Sequence, residues 1–169
     1  NWSIMSIAWQ NATIKILMAD YASNDSSGKM NILGEGINIL SYPVQGAPVT
    51  SRFSVIFIFA VPGEYCPIEM TIEYSLRDSN DNIVEIPGAT GPQPLRVANV
   101  ITLDTGSTNL DLGTKKFLTS QYHTVIDFGT GIPLASGQYK WTAMIDGDDE
   151  RSVDYRFCIP DAPAPPVLG

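Results

Sequence analysis

Apolar and polar residues alternate along three segments of the chain, at residues 68–77, 139–145 and 153–159. In the first segment every second residue from Ile68 to Leu76 is apolar, and the residues between them are polar. A period of two places apolar side chains on one face of a β-strand and polar side chains on the other. Each segment is therefore predicted to be a strand with one face against a core.

Weaker patterns of the same kind predict more strands. These strands are expected at residues 13–20, 29–40, 52–61, 83–86, 95–103 and 122–128. Spacers rich in Asp, Asn and Gly separate them, and no helical segment of convincing length is present beyond a single turn within 109–120. About nine short strands with regularly spaced turns are typical of a β-sandwich. The chain is predicted to be all-β, an immunoglobulin-like antiparallel sandwich.

The strand at 52–61 departs from simple alternation, because residues 54–60 are apolar on both faces. Its side chains Ile56 and Ile58 would face away from a core that the alternate residues line. An apolar outer face needs a cover, and two covers are open: a second subunit, or an N-terminal arm. The apolar residues of that arm are Trp2, Ile4, Ile7 and Trp9.

The two ends of the chain differ in composition from its middle. Residues 1–12 are read as an arm, residues 13–159 as the sandwich domain and residues 160–169 as a proline-rich tail. A segment rich in proline favours an extended polyproline-like strap or a flexible end. The tail residues assigned to an interface are Pro163, Pro165 and Pro166.

Composition and charge exclude several classes of function. With 44% hydrophobic and 17% charged residues, the chain can bury a core. The net charge is −8 and the basic residues are scattered, with only Lys115 and Lys116 adjacent, so no nucleic-acid partner is predicted. No apolar run is long enough for a membrane span. The segment 1–10 lacks the basic start of a signal peptide, and a virion-associated or extracellular location is favoured over a cytoplasmic one.

The two cysteines are predicted to be free thiols. Cys66 is in phase with the apolar residues of its strand and points inward, whereas Cys158 is in phase with polar neighbours and points outward. A disulfide requires Cβ atoms that converge.

One short motif suggests catalysis. The run Asp104, Thr105, Gly106 follows an apolar strand and resembles the aspartic-peptidase signature, in which two such aspartates share a proton and activate water. The motif occurs once, so a homodimer would be required, and the apolar segment that braces the catalytic loop in that family is not evident. A strand that ends in a glycine-containing turn explains the same residues without a function. No catalytic residue is therefore assigned.

The acidic spacer at 146–150 suggests calcium, since Asp146, Asp148 and Glu150 supply oxygen ligands at alternate positions. Counted from Asp146, the loop lacks the glycine and the glutamate of the known calcium-binding loop. The spacer is read as a solvated hairpin turn. His123 is the only histidine, which excludes a zinc site built on several histidines. No metal or cofactor is predicted.

Motifs near both ends are similar to those of a family of uncharacterised bacterial and phage proteins. They are IKILMAD at 14–20, GKMNILG at 28–34, PLASGQYKW at 133–141 and IDG at 145–147. The resemblance implies a β-sandwich and no established activity, with the arm and the tail as additions to the family pattern. Arms that strap onto neighbouring subunits are what a protein of a large assembly uses.

Three functions follow, from different classes. The first is a non-catalytic structural or interaction module, part of a larger assembly such as a phage particle, as a decoration or tail-associated protein. It would contact protein partners or its own copies through the 52–61 strand, the arm and the tail. The alternative is a glycan- or ligand-binding module. The most distant alternative is a homodimeric aspartic peptidase that uses Asp104.

Overall fold

The computed structural model describes residues 7–106, 109–162 and 166–169. The interface candidates Trp2, Ile4, Pro163 and Pro165 lie outside the described residues. The strands are β1 (Thr13–Asn24), β2 (Met30–Glu35), β3 (Phe53–Pro62), β4 (Ile68–Asp78), β5 (Glu85–Gly88), β6 (Gly91–Pro94), β7 (Arg96–Leu103), β8 (Thr119–Phe128), β9 (Gly137–Ile145) and β10 (Val153–Ile159). The helices are α1 (Ile7–Asn11) and α2 (Leu112–Phe117), with single 3₁₀ turns at Gly63–Tyr65 and Asp149–Arg151.

The strands form two four-stranded antiparallel sheets and one separate hairpin. The front sheet has the order β2-β1-β3-β8, the back sheet has the order β10-β9-β4-β7, and β5 pairs with β6. Their facing sides enclose one core, in which Phe57 of β3 stacks on Tyr74 of β4 with ring centroids 4.3 Å apart. Trp141 of β9 meets Phe57 edge-on at 5.8 Å. The all-β sandwich is confirmed.

The predicted strand at 29–40 is shorter in the structure and ends at Glu35. Gly34 and Gly36 have φ angles of +67° and +102°, a left-handed backbone that breaks an extended strand. The chain then crosses to the back sheet, where Cys158 N donates to Asn38 O and Leu40 N donates to Cys158 O. This second half of the predicted strand therefore borders β10.

Of two further elements, one differs from the sequence expectation and one agrees with it. The hairpin strand β6 was not predicted, because its sequence GPQP has no apolar alternation and carries two prolines. The helical turn expected within 109–120 is present as α2, and Asp111 caps it by accepting a hydrogen bond from Thr114 N at 2.8 Å.

The described part of the N-terminal segment forms a helix at one end of the sandwich. Ala8 and Ala12 are buried in the main core, and Ile7 is exposed. The guanidinium of Arg151 lies 4.7 Å from the centroid of the Trp9 ring and donates to Trp9 O. These residues close the end of the core rather than covering the outer face of β3.

The outer face of β3 is covered by the hairpin of β1 and β2, which is neither of the two covers expected from the sequence, a second subunit or the N-terminal arm. β1 pairs with β3 only as far as Ala19, and beyond it Ala22 N donates to the Ser54 hydroxyl of β3 at 2.9 Å. Farther on, Asn24 Oδ1 lies 3.0 Å from Nε2 of His123. His123 belongs to β8, which pairs with β3 along the edge that faces away from β1. The end of the hairpin therefore crosses the outer face of β3.

This crossing buries a second, small apolar cluster. Ile56 is fully buried between Ala19 and Ala22, and Ile58 is half-buried at the margin. The outer face of β3 therefore packs mainly within the chain and leaves little apolar surface for another subunit.

The cysteines face the sides that the sequence predicts, although Cys66 lies just before β4 rather than within it. Cys66 packs against the main core, Cys158 lies among outward-facing residues of β10, and both are free thiols, as predicted. Burial raises the pKa of the Cys66 thiol, which disfavours the reactive thiolate.

Candidate functional site

The outer edge of β8 is the first candidate site. β8 pairs with β3 without interruption, from Thr119 opposite Pro62 to Phe128 opposite Phe53, and no described strand pairs with its other edge. In an antiparallel strand, alternate residues direct both backbone N–H and C=O away from the partner. An edge without a bulge presents these groups in a regular row, which is a template for another strand.

The sequence of β8 lacks the devices that usually protect an edge. It contains no lysine and no proline, and its single acidic residue is Asp127 near one end. That carboxylate is already engaged by the Ser54 hydroxyl at 2.8 Å and by Arg52 Nη2 at 3.2 Å. With ten residues, β8 is also longer than the other three outer strands of the two sheets, which have six, seven and eight residues.

A groove on the back sheet is the second candidate site. It has a volume of about 590 Å³, and its floor is formed by outward-facing side chains of β9 and β10. The turn after β4 forms one wall and the crossing segment at Asn38 and Ile39 forms the other. Seven of its eleven lining residues are polar or charged, namely Asn38, Asp78, Ser79, Asp81, Gln138, Lys140 and Arg156, and the others are Ile39, Tyr139, Phe157 and Cys158.

Three cations lie in one row across the back sheet at this groove. Arg156 of β10 is directly opposite Lys140 of β9, and Lys140 is directly opposite Arg77 of β4. Neighbouring strands are about 4.8 Å apart, so like charges at opposite positions repel each other. The row is therefore destabilising by itself, and carboxylates that pair with it reduce this cost.

Two carboxylates offset part of this charge. Asp81 lies 3.0 Å from Lys140 Nζ and 3.9 Å from Arg77 Nη1, and Asp154 lies 3.7 Å from Lys140 Nζ. A hydrogen bond from Lys140, with the charge of its ammonium, holds the pKa of the Asp81 carboxyl below its ordinary value. Within the described ranges, no carboxylate lies within ion-pair distance of Arg156.

The turn wall of the groove is fixed by hydrogen bonds. The Asp78 carboxylate accepts from Asn80 N at 2.9 Å and from Asn82 N at 3.0 Å. Arg77 Nη1 donates to Asp81 O at 2.9 Å, which holds a residue with a φ of +65° in place. The groove is thus preformed on this side.

The peptidase-like residues lie in a turn directly after β7. The exposed Asp104 accepts a hydrogen bond from Thr105 N at 2.7 Å, and its backbone carbonyl accepts from the Ser120 hydroxyl at 2.7 Å. Gly106 has a φ of +71°, as a tight turn requires. A second aspartate would have to come from another copy, so the peptidase hypothesis stays a prediction.

The acidic residues considered for calcium serve the turn between β9 and β10. Asp146 Oδ1 accepts from Thr71 N at 3.0 Å, and Asp148 Oδ1 accepts from Glu150 N at 2.9 Å. Among the described residues, no group of three His, Cys, Asp or Glu side chains is placed to hold a metal ion.

Several exposed apolar side chains lie outside both candidate sites. Phe117 of α2 is 87% exposed, and Pro166 is followed in the exposed tail by Val167 and Leu168. Of the two predicted interface residues of the arm that lie in the described ranges, Ile7 is exposed and Trp9 is half-buried. The exposure of Phe117 gave no sequence signal, because phenylalanine is usually buried and one exposed apolar residue forms no pattern.

None of the described helices is long and apolar enough to cross a membrane. No protein-family model and no curated protein matches the chain. The crystal structure of a β-glucosidase from Listeria innocua in complex with gluconolactone is similar over 89% of this chain, with 8% identity and a TM-score of 0.38. This chain spans 16% of the length of that enzyme chain. A likeness at this level carries no conclusion about function.

Proposed function

We propose that the chain is a non-catalytic interaction module that is built into a larger protein assembly, such as a phage particle, by association of its own copies at the β8 edge. The observation that carries the proposal is the ten-residue, uninterrupted outer edge of β8, with which no strand in the described part of the chain pairs. Backbone groups of a regular open edge supply affinity for a further strand without a dedicated pocket.

The charges of β8 favour a second copy as the partner. Two copies related by a two-fold axis would pair antiparallel, so that each residue of one edge meets the partner at a mirrored position. Asp127 is next to the end of β8, and in such a pair the two carboxylates lie at opposite ends of the new interface. The middle of the strand, from Tyr122 to Ile126, carries no carboxylate, lysine or arginine.

The proposal is tested by placing lysines on the edge. Thr119 and Gln121 are exposed on β8, and the double variant Thr119→Lys, Gln121→Lys adds the kind of charge that protects natural edges. The matched control is Val100→Lys, Thr102→Lys, which adds the same charge at exposed positions on β7. Light scattering over a wide concentration range reports the mass of each protein.

The wild-type mass is expected to rise with concentration. The β8 double variant is expected to weaken association at least about tenfold, which corresponds to about 1.4 kcal/mol. The β7 control should associate like the wild type. A wild-type protein that stays monomeric at every concentration contradicts the proposal, and equal weakening in both double variants moves the interface away from β8.

A further inference from the structure

The groove on the back sheet is lined by two cations and two carboxylates, and one of the cations, Arg156, has no ion-pair partner among the described residues. Arg156 is exposed on β10, belongs to the row of three cations, and has no carboxylate partner in the described part of the chain, whereas Lys140 has two. An arginine guanidinium binds a carboxylate through two parallel hydrogen bonds. The floor of the groove therefore offers a position for one carboxylate of a ligand.

The walls of the groove narrow the class of that ligand. Asn38 and Gln138 offer amide groups that both donate and accept hydrogen bonds, and Ser79 offers a hydroxyl. Asp78 and Asp81 offer carboxylates, which repel a ligand with many negative charges but accept hydrogen bonds from hydroxyl groups. A chain of phosphates or of acidic residues would meet these aspartates, whereas a sugar would bond to them.

The size and shape of the groove agree with this chemistry. Its volume of about 590 Å³ lies within the range of small-molecule sites, about 300–1,000 Å³. Its floor is sheet and its turn wall is fixed by the hydrogen bonds of Asp78 and Asp81, so little ordering is needed when a ligand binds. The groove lies on the back sheet and leaves the β8 edge of the front sheet free.

We propose that this groove binds a saccharide that carries one carboxylate among neutral sugars. The ligand carboxylate pairs with Arg156, and its hydroxyl groups bond to the amides and carboxylates of the walls. This inference goes beyond the proposed assembly function and does not depend on it, since it uses the back sheet and a different partner chemistry.

Binding is measured by NMR titration with two acidic probes and their neutral counterparts. The probes are sialyllactose and cellobiouronic acid, and the counterparts are lactose and cellobiose. Each acidic probe is expected to shift the signals of residues in the groove and to bind at least about tenfold tighter than its counterpart, because only it pairs with Arg156. Absence of shifts with both acidic probes overturns the proposal, as does equal binding of the neutral sugars.

Two variants assign the binding to the groove. Arg156→Gln keeps a polar side chain at this exposed position but removes its charge, and it is expected to weaken binding of both acidic probes at least about tenfold. Lys29→Gln removes one positive charge at an exposed position before β2 and should leave binding unchanged. Equal loss in both variants would show a general charge effect and overturn the site. Tighter binding of a glutamate peptide than of either sugar would overturn the saccharide assignment.

Discussion

Ser54 shows how one residue holds the crossing of β1 over β3. Its side chain is fully buried, and its hydroxyl accepts a hydrogen bond from Ala22 N and donates one to Asp127 Oδ1 at 2.8 Å. A buried backbone N–H that loses its acceptor costs free energy, because no water replaces it. Ser54 therefore links three strands of the front sheet through one oxygen.

The variant Ser54→Ala is expected to destabilise the protein by about 1–3 kcal/mol, because it leaves the Ala22 N–H buried and unpaired. Urea unfolding followed by circular dichroism measures the change. The matched control is Ser26→Ala, at an exposed turn position, where a change within about 0.5 kcal/mol is expected. A Ser54→Ala protein as stable as this control would show that the crossing does not depend on the hydroxyl.

At the scale of elements, the packing position of α2 depends on a glycine in the turn after β3. Gly63, in the turn after β3, donates from its N–H to Leu118 O at 2.7 Å. A Cβ atom at this position would lie 2.0 Å from Lys115 O and 2.5 Å from Leu118 O, both of which are backbone atoms that cannot rotate away. Only a residue without a side chain allows this close approach.

Gly63→Ala is therefore expected to push α2 off the turn and to destabilise the protein by about 1–3 kcal/mol, the usual range for overpacking. The comparison is with Gly129→Ala, where the added Cβ meets its nearest atom, Asp127 Oδ2, at 3.4 Å. Urea midpoints of the two variants give the difference. If Gly63→Ala unfolds at the same midpoint as Gly129→Ala, α2 is not packed against the turn in the way described.

The strands that could be predicted best are those with one face against the core and the other face toward solvent. In β10 and most of β4 the alternation seen in the sequence matches the buried and exposed faces. In β9 it does not, because Thr142 and Met144, which alternation places on the outer face, are buried as well. The cover of Ile56 could not be predicted, because it comes from the far end of β1, which pairs with β3 over one half and crosses it over the other. Such a change of direction leaves no periodic signal.

At the scale of the whole molecule, the row of cations could be predicted only in part. Parity alone indicates that Lys140 and Arg156 point outward, and the sequence shows basic residues that are scattered. Their alignment depends on the register between strands that are far apart in sequence, since Arg77 meets Lys140 across β4 and β9. A single sequence does not fix that register.

The response of the whole fold to alkaline pH follows from its tyrosines. Burial raises the pKa of four tyrosine hydroxyls above the ordinary value of 10.0: Tyr42, Tyr74, Tyr139 and Tyr155. Three of these hydroxyls donate to backbone carbonyls, from Tyr42 to Leu134 at 2.6 Å, from Tyr139 to Ala135 at 2.7 Å and from Tyr155 to Ile37 at 2.7 Å. An ionised tyrosine cannot donate these bonds.

The sign of the effect is set by which state holds the protons. Above pH 10 the tyrosines of the unfolded chain release protons that those of the folded chain keep. The contribution of these tyrosines to the free energy of unfolding is therefore constant at lower pH and falls as pH rises through their pKa values in the folded state. Absorbance at 295 nm should therefore show part of the tyrosines ionising together with unfolding. The double variant Tyr139→Phe, Tyr155→Phe is expected to lose stability at neutral pH and to show a shallower fall above pH 10, since it has fewer protons to release. An equally steep fall in the double variant would mean that groups other than these tyrosines control alkaline unfolding.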